Sequence, residues 1–131
     1  MRTLTLSWEY PPVIEGGLAR HVRKLSENLV AQGIEVHVLT RGSSRLPEAE
    51  ERHGVLVHRV RQPPFPRDAR AFVRWVQTMN ADMARRGAEL AHELRFDLVH
   101  SHDWLVAGAA ERVARGSRPP ARDAALPWVT T

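Results

Sequence analysis

Cysteine is absent from this chain of 131 residues, which excludes a disulfide framework and a thiolate metal site. Aromatic residues amount to only 6%. No apolar run approaches the roughly 20 residues that a membrane-spanning helix needs. The opening residues 1–7 are too short for the apolar region of a signal peptide. The sequence therefore predicts a cytoplasmic protein without a transmembrane segment.

The charge balance is basic, with 19 Lys and Arg against 15 Asp and Glu and a formal net charge of +4. An excess of positive charge favours anionic partners without specifying one. The arginines are scattered, and no nucleic-acid recognition motif appears, so nucleic acid is not an expected partner. The length and the hydrophobic fraction of 43% suit one domain with a real core.

Short apolar runs alternate with amphipathic segments along the chain. A C-terminal glycine at Gly33 ends the first predicted helix, and Asp68 can cap the second, which runs to about residue 95. Pro11 and Pro12 enforce an extended loop path. Strands separated by helices imply an α/β fold with a mostly parallel sheet and helices on both faces. The predicted strands are residues 3–7, 34–40, 54–60, 98–101 and 126–131; the third predicted helix is 104–115; the loops are 8–17, 41–52 and 116–124.

Gly16 and Gly17 lie at the turn between the first predicted strand and the first helix. Adjacent glycines there leave backbone N–H groups bare at a helix start. A helix start attracts phosphate through unpaired N–H donors and the positive end of its dipole. The pair is therefore a candidate phosphate contact, with a simple tight turn as the structural alternative.

His102 and Asp103 follow the fourth predicted strand. Ligands of parallel sheets bind at the carboxyl ends of the strands, where Gly16 and Gly17 are also expected. The two signals converge on one edge and predict a nucleotide-linked or phosphorylated substrate. His100 and His102 share a strand face, but no third histidine or cysteine is near, so no metal site is expected. Asp103 is a possible substrate contact, and it fits the N-cap of the next helix better than an acid or base.

Four further residues are possible substrate contacts. Glu9 and Tyr10 are in the loop over the expected site, and Arg20 and His21 are on the polar side of the first helix. For Arg20 and His21, a solvated position is an equally good interpretation. The remaining histidines are interpreted as structural or exposed.

Three ordered motifs and the chain's ending carry a family resemblance. They resemble the N-terminal domain of retaining glycosyltransferases of the two-Rossmann-domain GT-B fold, in particular family 4 and the bacterial glycogen and starch synthases. The motifs are Ser7-Trp8-Glu9-Tyr10-Pro11-Pro12, Gly16-Gly17-Leu18-Ala19-Arg20-His21-Val22, Val99-His100-Ser101-His102-Asp103-Trp104-Leu105 and the ending Leu126-Pro127-Trp128-Val129-Thr130-Thr131.

The resemblance implies a Rossmann-like sheet and transfer of a hexose, with retention, from UDP- or ADP-glucose to a glucan or other glycan acceptor. Gly16 and Gly17 would approach the donor diphosphate through backbone N–H groups. His102 matches a family histidine that contacts the transferred sugar and is the expected catalytic residue. Catalysis would rest on positioning and on stabilising the departing diphosphate. No metal or other cofactor is implied.

Two departures from the family pattern qualify this interpretation. Arg20 stands where glycogen and starch synthases carry an acidic residue. With an arginine at this position, the motif resembles that of family 4 glucosyltransferases more closely. The family's C-terminal donor-binding domain is absent from residues 1–131, which would form an incomplete acceptor-side domain that is inactive alone. The alternative is a non-catalytic sugar- or nucleotide-binding module, or a split-enzyme subunit that docks a separate donor-binding chain. An unrelated dinucleotide-binding domain is disfavoured because the Gly-x-Gly-x-x-Gly fingerprint is missing.

Overall fold

The computed structural model describes residues 1–116 and 126–131. Within them, one six-stranded sheet has the order β3-β4-β2-β1-β5-β6, and only the β3–β4 pair is antiparallel. The strands are β1 Arg2–Ser7, β2 Glu35–Gly42, β3 Ala49–Arg52, β4 Val55–Arg61, β5 Leu98–Ser101 and β6 Trp128–Thr130. The helices are α1 Leu18–Ala31, α2 Ala69–Glu93 and α3 Ala107–Gly116, and a 3₁₀ turn Trp104–Val106 precedes α3.

Helices cover both faces of this sheet. Alternate residues of the central strands point to opposite faces, so β2 contributes Val36 and Val38 to one core and Leu39 to the other. Helix α1 packs on the first core through Val22, and α2 and α3 pack on the second. The predicted α/β fold, with a mostly parallel sheet between helical layers, is confirmed.

Local signals placed the helix ends correctly. Asp68 accepts a hydrogen bond from the Ala71 N–H at 2.9 Å and caps α2. Gly33 follows α1 with φ +87°, a conformation that favours glycine. Gly87 lets α2 approach α3 closely, since a Cβ there would lie 2.5 Å from Val113 Cγ2.

Two loop predictions were wrong, and a third is not tested. The segment 41–52 contains the end of β2 and all of β3, a polar edge strand held by an ion pair of 2.7 Å between Arg59 and Glu50. Pro11 and Pro12 form a cis-peptide turn instead of an extended path. Most of the predicted loop 116–124 lies outside the described residues, and the last strand is shorter than expected.

Candidate functional site at the carboxyl edge of the sheet

The glycine loop, defined as residues 8–17, and His102 meet at the same edge of the sheet. The loop follows β1 and His102 follows β5, and these strands are parallel neighbours in which Leu6 pairs with Ser101. The His102 N–H continues the ladder by donating to the Leu6 carbonyl oxygen at 2.9 Å. The predicted convergence of the two segments is therefore present in the fold.

The Glu9 carboxylate is the centre of the glycine loop. It accepts hydrogen bonds from the backbone N–H groups of Glu15 at 2.5 Å, Gly16 at 3.0 Å and Ala19 at 3.0 Å. Glu9 is 1% exposed, so it acts as a buried cap for α1, whose own N-cap residue, Gly17, has no side chain to do so. The expectation of Glu9 as a substrate contact is replaced by this structural role.

The two glycines consequently differ. The Gly16 N–H is already bonded to Glu9, so it is not the bare donor that the sequence suggested. The Gly17 N–H has no partner among the described residues, and a Cβ built on Gly17 would meet nothing within 4 Å. Gly17 therefore combines a partnerless N–H with an open side-chain position at the start of a helix, where anions are favoured.

Three histidines gather beside the glycine loop. The His102 ring lies edge-on to His21 with 5.7 Å between centroids, and 4.1 Å from the ring of His100. His102 is 1% exposed, and its buried Nε2 has no partner among the described residues. Burial, followed by the proximity of His100 and of His21, lowers the pKa of His102 to about 4. The ring is therefore neutral near pH 7, with one donor and one acceptor nitrogen.

His21 and Arg20 are both exposed on α1, and His21 alone of the two contacts the histidine cluster. His100 Nε2 pairs with the Thr131 hydroxyl, and burial, then His21, lowers the pKa of His100. In residues 1–116 and 126–131, no three His, Cys, Asp or Glu side chains come together as metal ligands.

Asp103 stabilises the turn after His102. Its φ of +72° is a conformation that residues with a side chain rarely adopt. Two hydrogen bonds support it: Asp103 Oδ1 accepts from the Trp104 N–H at 2.5 Å, and the Asp103 N–H donates to the Thr131 carbonyl oxygen at 2.9 Å. Asp103 is thus the predicted cap, although it caps the 3₁₀ turn. Strained backbone of this kind is concentrated at functional sites.

Tyr10 is not brought into the site. Its ring is buried in the α1-side core with Val22 and Val36. Burial is the main reason that the pKa of Tyr10 is raised to about 12. In this structure the side chain has no access to a substrate, contrary to the expectation from its loop position.

A groove with a mixed polar and apolar lining was missed by the sequence analysis. It opens over about 730 Å³ at the carboxyl ends of β2 and β4, and its lining includes Ser43, Ser44, Arg61, Gln62 and Phe65. The Gln62 Nε2 donates to Asp82 Oδ2 at 2.8 Å, which leaves the buried Gln62 Oε1 without a partner among the described residues. Arg61 is exposed and has no partner in the same part of the chain. The groove therefore offers hydroxyl, amide and cationic groups beside an apolar wall.

Comparison with known proteins identifies relatives of this chain. The family model described as Glycosyltransferase Family 4 matches residues 15–123. A glycogen synthase from Mycobacterium tuberculosis is 42% identical over 130 residues, which is 88% of this chain and 31% of that protein. A D-inositol 3-phosphate glycosyltransferase from Frankia alni is 44% identical over 104 residues, which is 76% of this chain and 25% of that protein.

Solved structures give the same fold. A sucrose-phosphate synthase from Thermosynechococcus elongatus superposes with a TM-score of 0.74 at 18% identity, covering 98% of this chain and 32% of that one. The chain thus spans between a quarter and a third of the length of these relatives. Among the described residues, no helix is both long and apolar enough to cross a bilayer.

Proposed function

The chain belongs to glycosyltransferase family 4, and on that premise we propose that it forms the acceptor-side part of a retaining cytoplasmic glucosyltransferase. The reaction moves a hexose from UDP- or ADP-glucose to a glucan or other glycan acceptor. The observation that carries the proposal is that a helix start with a partnerless N–H at Gly17 and a partnerless His102 Nε2 both follow the carboxyl ends of neighbouring strands, β1 and β5.

The donor diphosphate contacts the start of α1 in this proposal. The Gly17 N–H has no partner among the described residues, the space where a Gly17 side chain would lie is open, and the exposed His21 lies one turn further along the same helix. The helix dipole favours negative charge at this position. Glu9 lies on the inner side of the loop, so its carboxylate supports the backbone that the phosphate approaches.

His102 is proposed to contact the transferred sugar. Its neutral ring can donate a hydrogen bond to, or accept one from, a sugar hydroxyl, and the partnerless Nε2 gains a partner by doing so. Because the ring is enclosed by His21 and His100, this contact requires the neighbouring imidazoles to shift. No protein nucleophile or metal takes part; positioning and stabilisation of the leaving diphosphate lower the barrier.

The groove at the carboxyl ends of β2 and β4 is the proposed acceptor side. Ser43, Ser44 and the Gln62 oxygen are suited to sugar hydroxyls, and Arg61 is suited to a negatively charged group on the acceptor. The named activities of the relatives include both a glycogen synthase and a D-inositol 3-phosphate glycosyltransferase. A neutral glucan and a phosphorylated polyol are therefore the two acceptors to compare.

Turnover is proposed to need a donor-binding domain beyond residues 1–131, because the chain spans only part of its relatives. The test mixes the chain with the separately produced remainder of the Mycobacterium tuberculosis glycogen synthase. Radiolabelled UDP- or ADP-glucose is the donor, and maltooligosaccharide or D-inositol 3-phosphate is the acceptor. We expect transfer only when both parts are present, unchanged by EDTA, with an α-linked product. A β-linked product, or no transfer by a folded mixture that binds donor, contradicts the proposal.

A second candidate is a non-catalytic module or split-enzyme subunit. It is favoured by the half-exposed Trp128 and Val129 on β6, which has only β5 as a strand partner among the described residues. Under this alternative, the mixture forms a stable complex and binds sugar or nucleotide, but no glycosidic bond is made.

A further inference from the structure

Arg41, at the carboxyl end of β2, is enclosed between the glycine loop and α2. Its side chain is 7% exposed, and the guanidinium lies 5.2 Å from the ring centroid of Trp8, 5.2 Å from that of Trp75 and 5.9 Å from that of Phe65. Its Nε donates to the Trp8 carbonyl oxygen at 3.0 Å, and its terminal nitrogen pairs with the Glu15 carboxylate.

This environment needs an arginine. A buried cation is costly unless it is paired and hydrogen-bonded. Here the Glu15 carboxylate supplies the ion pair, and the aromatic rings add cation–π attraction. The planar fork donates at once to a main-chain oxygen at Trp8 and to a carboxylate at Glu15. A lysine carries the charge but cannot present two donors in that fixed geometry. Arg41 therefore sets the separation between the start of the glycine loop and the residue before Gly16.

We propose that Arg41 is a positioning residue that acts through Glu15 on the open helix start. This inference rests on the proposed function, in which a diphosphate approaches Gly17. Glu15 is the residue before Gly16 and its carboxylate is partly exposed. The ion pair with Arg41 balances the negative charge of that carboxylate and directs it toward β2. Without Arg41, an unpaired negative charge would lie next to the phosphate position. Arg41 thereby fixes the loop and removes a repulsion that would oppose an anionic ligand.

The other charged groups around the loop do not duplicate this role. Glu9 is engaged by three backbone N–H groups. Arg52 reaches the loop only at the Pro11 carbonyl oxygen, at 3.1 Å. Arg41 is the cation that pairs with Glu15 among the described residues. An effect that passes through Glu15 is therefore separable from a general loss of packing.

The first experiment is a double-mutant cycle with inorganic pyrophosphate as the probe, followed by the amide signals of residues 15–17 in NMR spectra. The variants are Arg41→Gln, Glu15→Gln and the double variant. We expect Arg41→Gln to weaken binding at least fivefold, and the double variant to bind within about twofold of Glu15→Gln. If the double variant binds as weakly as Arg41→Gln, the effect does not pass through Glu15 and the inference is overturned.

The second experiment needs no ligand, so it distinguishes failure of this inference from failure of the phosphate site. Amide hydrogen exchange of Glu15 and Gly16 is compared in the wild-type chain, in Glu15→Gln and in the matched control Arg52→Gln. We expect at least tenfold faster exchange in Glu15→Gln and little change in the control. Arg41→Lys should bind pyrophosphate more tightly than Arg41→Gln, because it keeps the positive charge. It should not restore the slow amide exchange of Glu15 and Gly16, because lysine lacks the two-donor geometry of arginine. If Glu15→Gln exchanges as slowly as the wild-type chain, the inference is overturned even if pyrophosphate binds. If Glu15→Gln exchanges at least tenfold faster but the wild-type chain binds no pyrophosphate, only the phosphate contact is refuted.

Discussion

Replacing Glu9 with alanine should be among the most damaging single changes to this chain. The substitution removes a carboxylate that accepts from three backbone N–H groups, those of Glu15, Gly16 and Ala19. Hydrogen bonds to a charged group contribute about 1.5–3 kcal/mol each, and a buried donor left without a partner costs about 1–3 kcal/mol. The Ala19 donor is buried, while the other two are partly buried and can regain water. The expected loss of unfolding free energy is therefore about 3–5 kcal/mol, less than the sum of three full bonds.

Urea unfolding followed by circular dichroism measures this loss. Glu48→Ala is the matched control, because Glu48 is exposed and its side chain has no partner among the described residues; we expect a change within about 0.5 kcal/mol. Glu9→Gln should fall between the two, since one amide oxygen still accepts but the NH₂ group faces N–H donors. A loss below about 1 kcal/mol for Glu9→Ala would refute the capping role, as the three bonds would then not exist in solution.

Three further predictions follow from individual contacts. Burial is the main cause that lowers the pKa of His58 and His102 to about 4, so both rings stay neutral in the folded chain near pH 7. Their contribution to the free energy of unfolding should be fully present above about pH 6.5 and should be lost as the pH falls toward 4, because the unfolded chain then binds more protons than the folded one until the folded rings titrate. Urea unfolding at pH 7.5 and 4.5 should therefore show a smaller loss of stability at low pH for His58→Gln than for the wild-type chain. Gly87→Ala should cost about 1–3 kcal/mol in the same assay, because its Cβ would lie 2.5 Å from Val113 Cγ2, and an unchanged midpoint would contradict the close α2–α3 approach. Gly17→Ala keeps the N–H but places a methyl group in the open space at the helix start, so it should weaken pyrophosphate binding measured by calorimetry and should cost no more than about 1 kcal/mol of stability at this N-cap position; unchanged binding would show that no anion occupies that space.

Local chemistry was enough to predict most of the architecture. The cap at Asp68 and the glycine at Gly33 act within a few residues of themselves, and the structure has both. Strand β3 escaped prediction because Ala49–Arg52 is polar and becomes a strand only by pairing with β4. Its stabilising ion pair joins Glu50 to Arg59 across that pairing, which no local pattern reports.

In the candidate site, too, some features follow from the local sequence and others depend on contacts between distant segments. The carboxyl edge followed from the predicted parallel arrangement of the strands, so Gly17 and His102 were expected at the same edge of the sheet. The role of Glu9 did not follow, because its carboxylate accepts from backbone N–H groups that lie 6 to 10 residues further along the chain. The aromatic enclosure of Arg41 and the partnerless oxygen of Gln62 also depend on contacts between distant segments. Pairing across such distances is decided by packing and leaves no periodic signal in the chain.

The central claim, that this sheet edge contacts a sugar-nucleotide donor, is tested most directly by an NMR titration of the chain with UDP-glucose and ADP-glucose. We expect shifts concentrated at Gly16, Gly17, His21 and His102, with one of the two donors producing them at lower concentration. A folded chain that shows no shift at these residues in millimolar donor would contradict a donor site at this sheet edge.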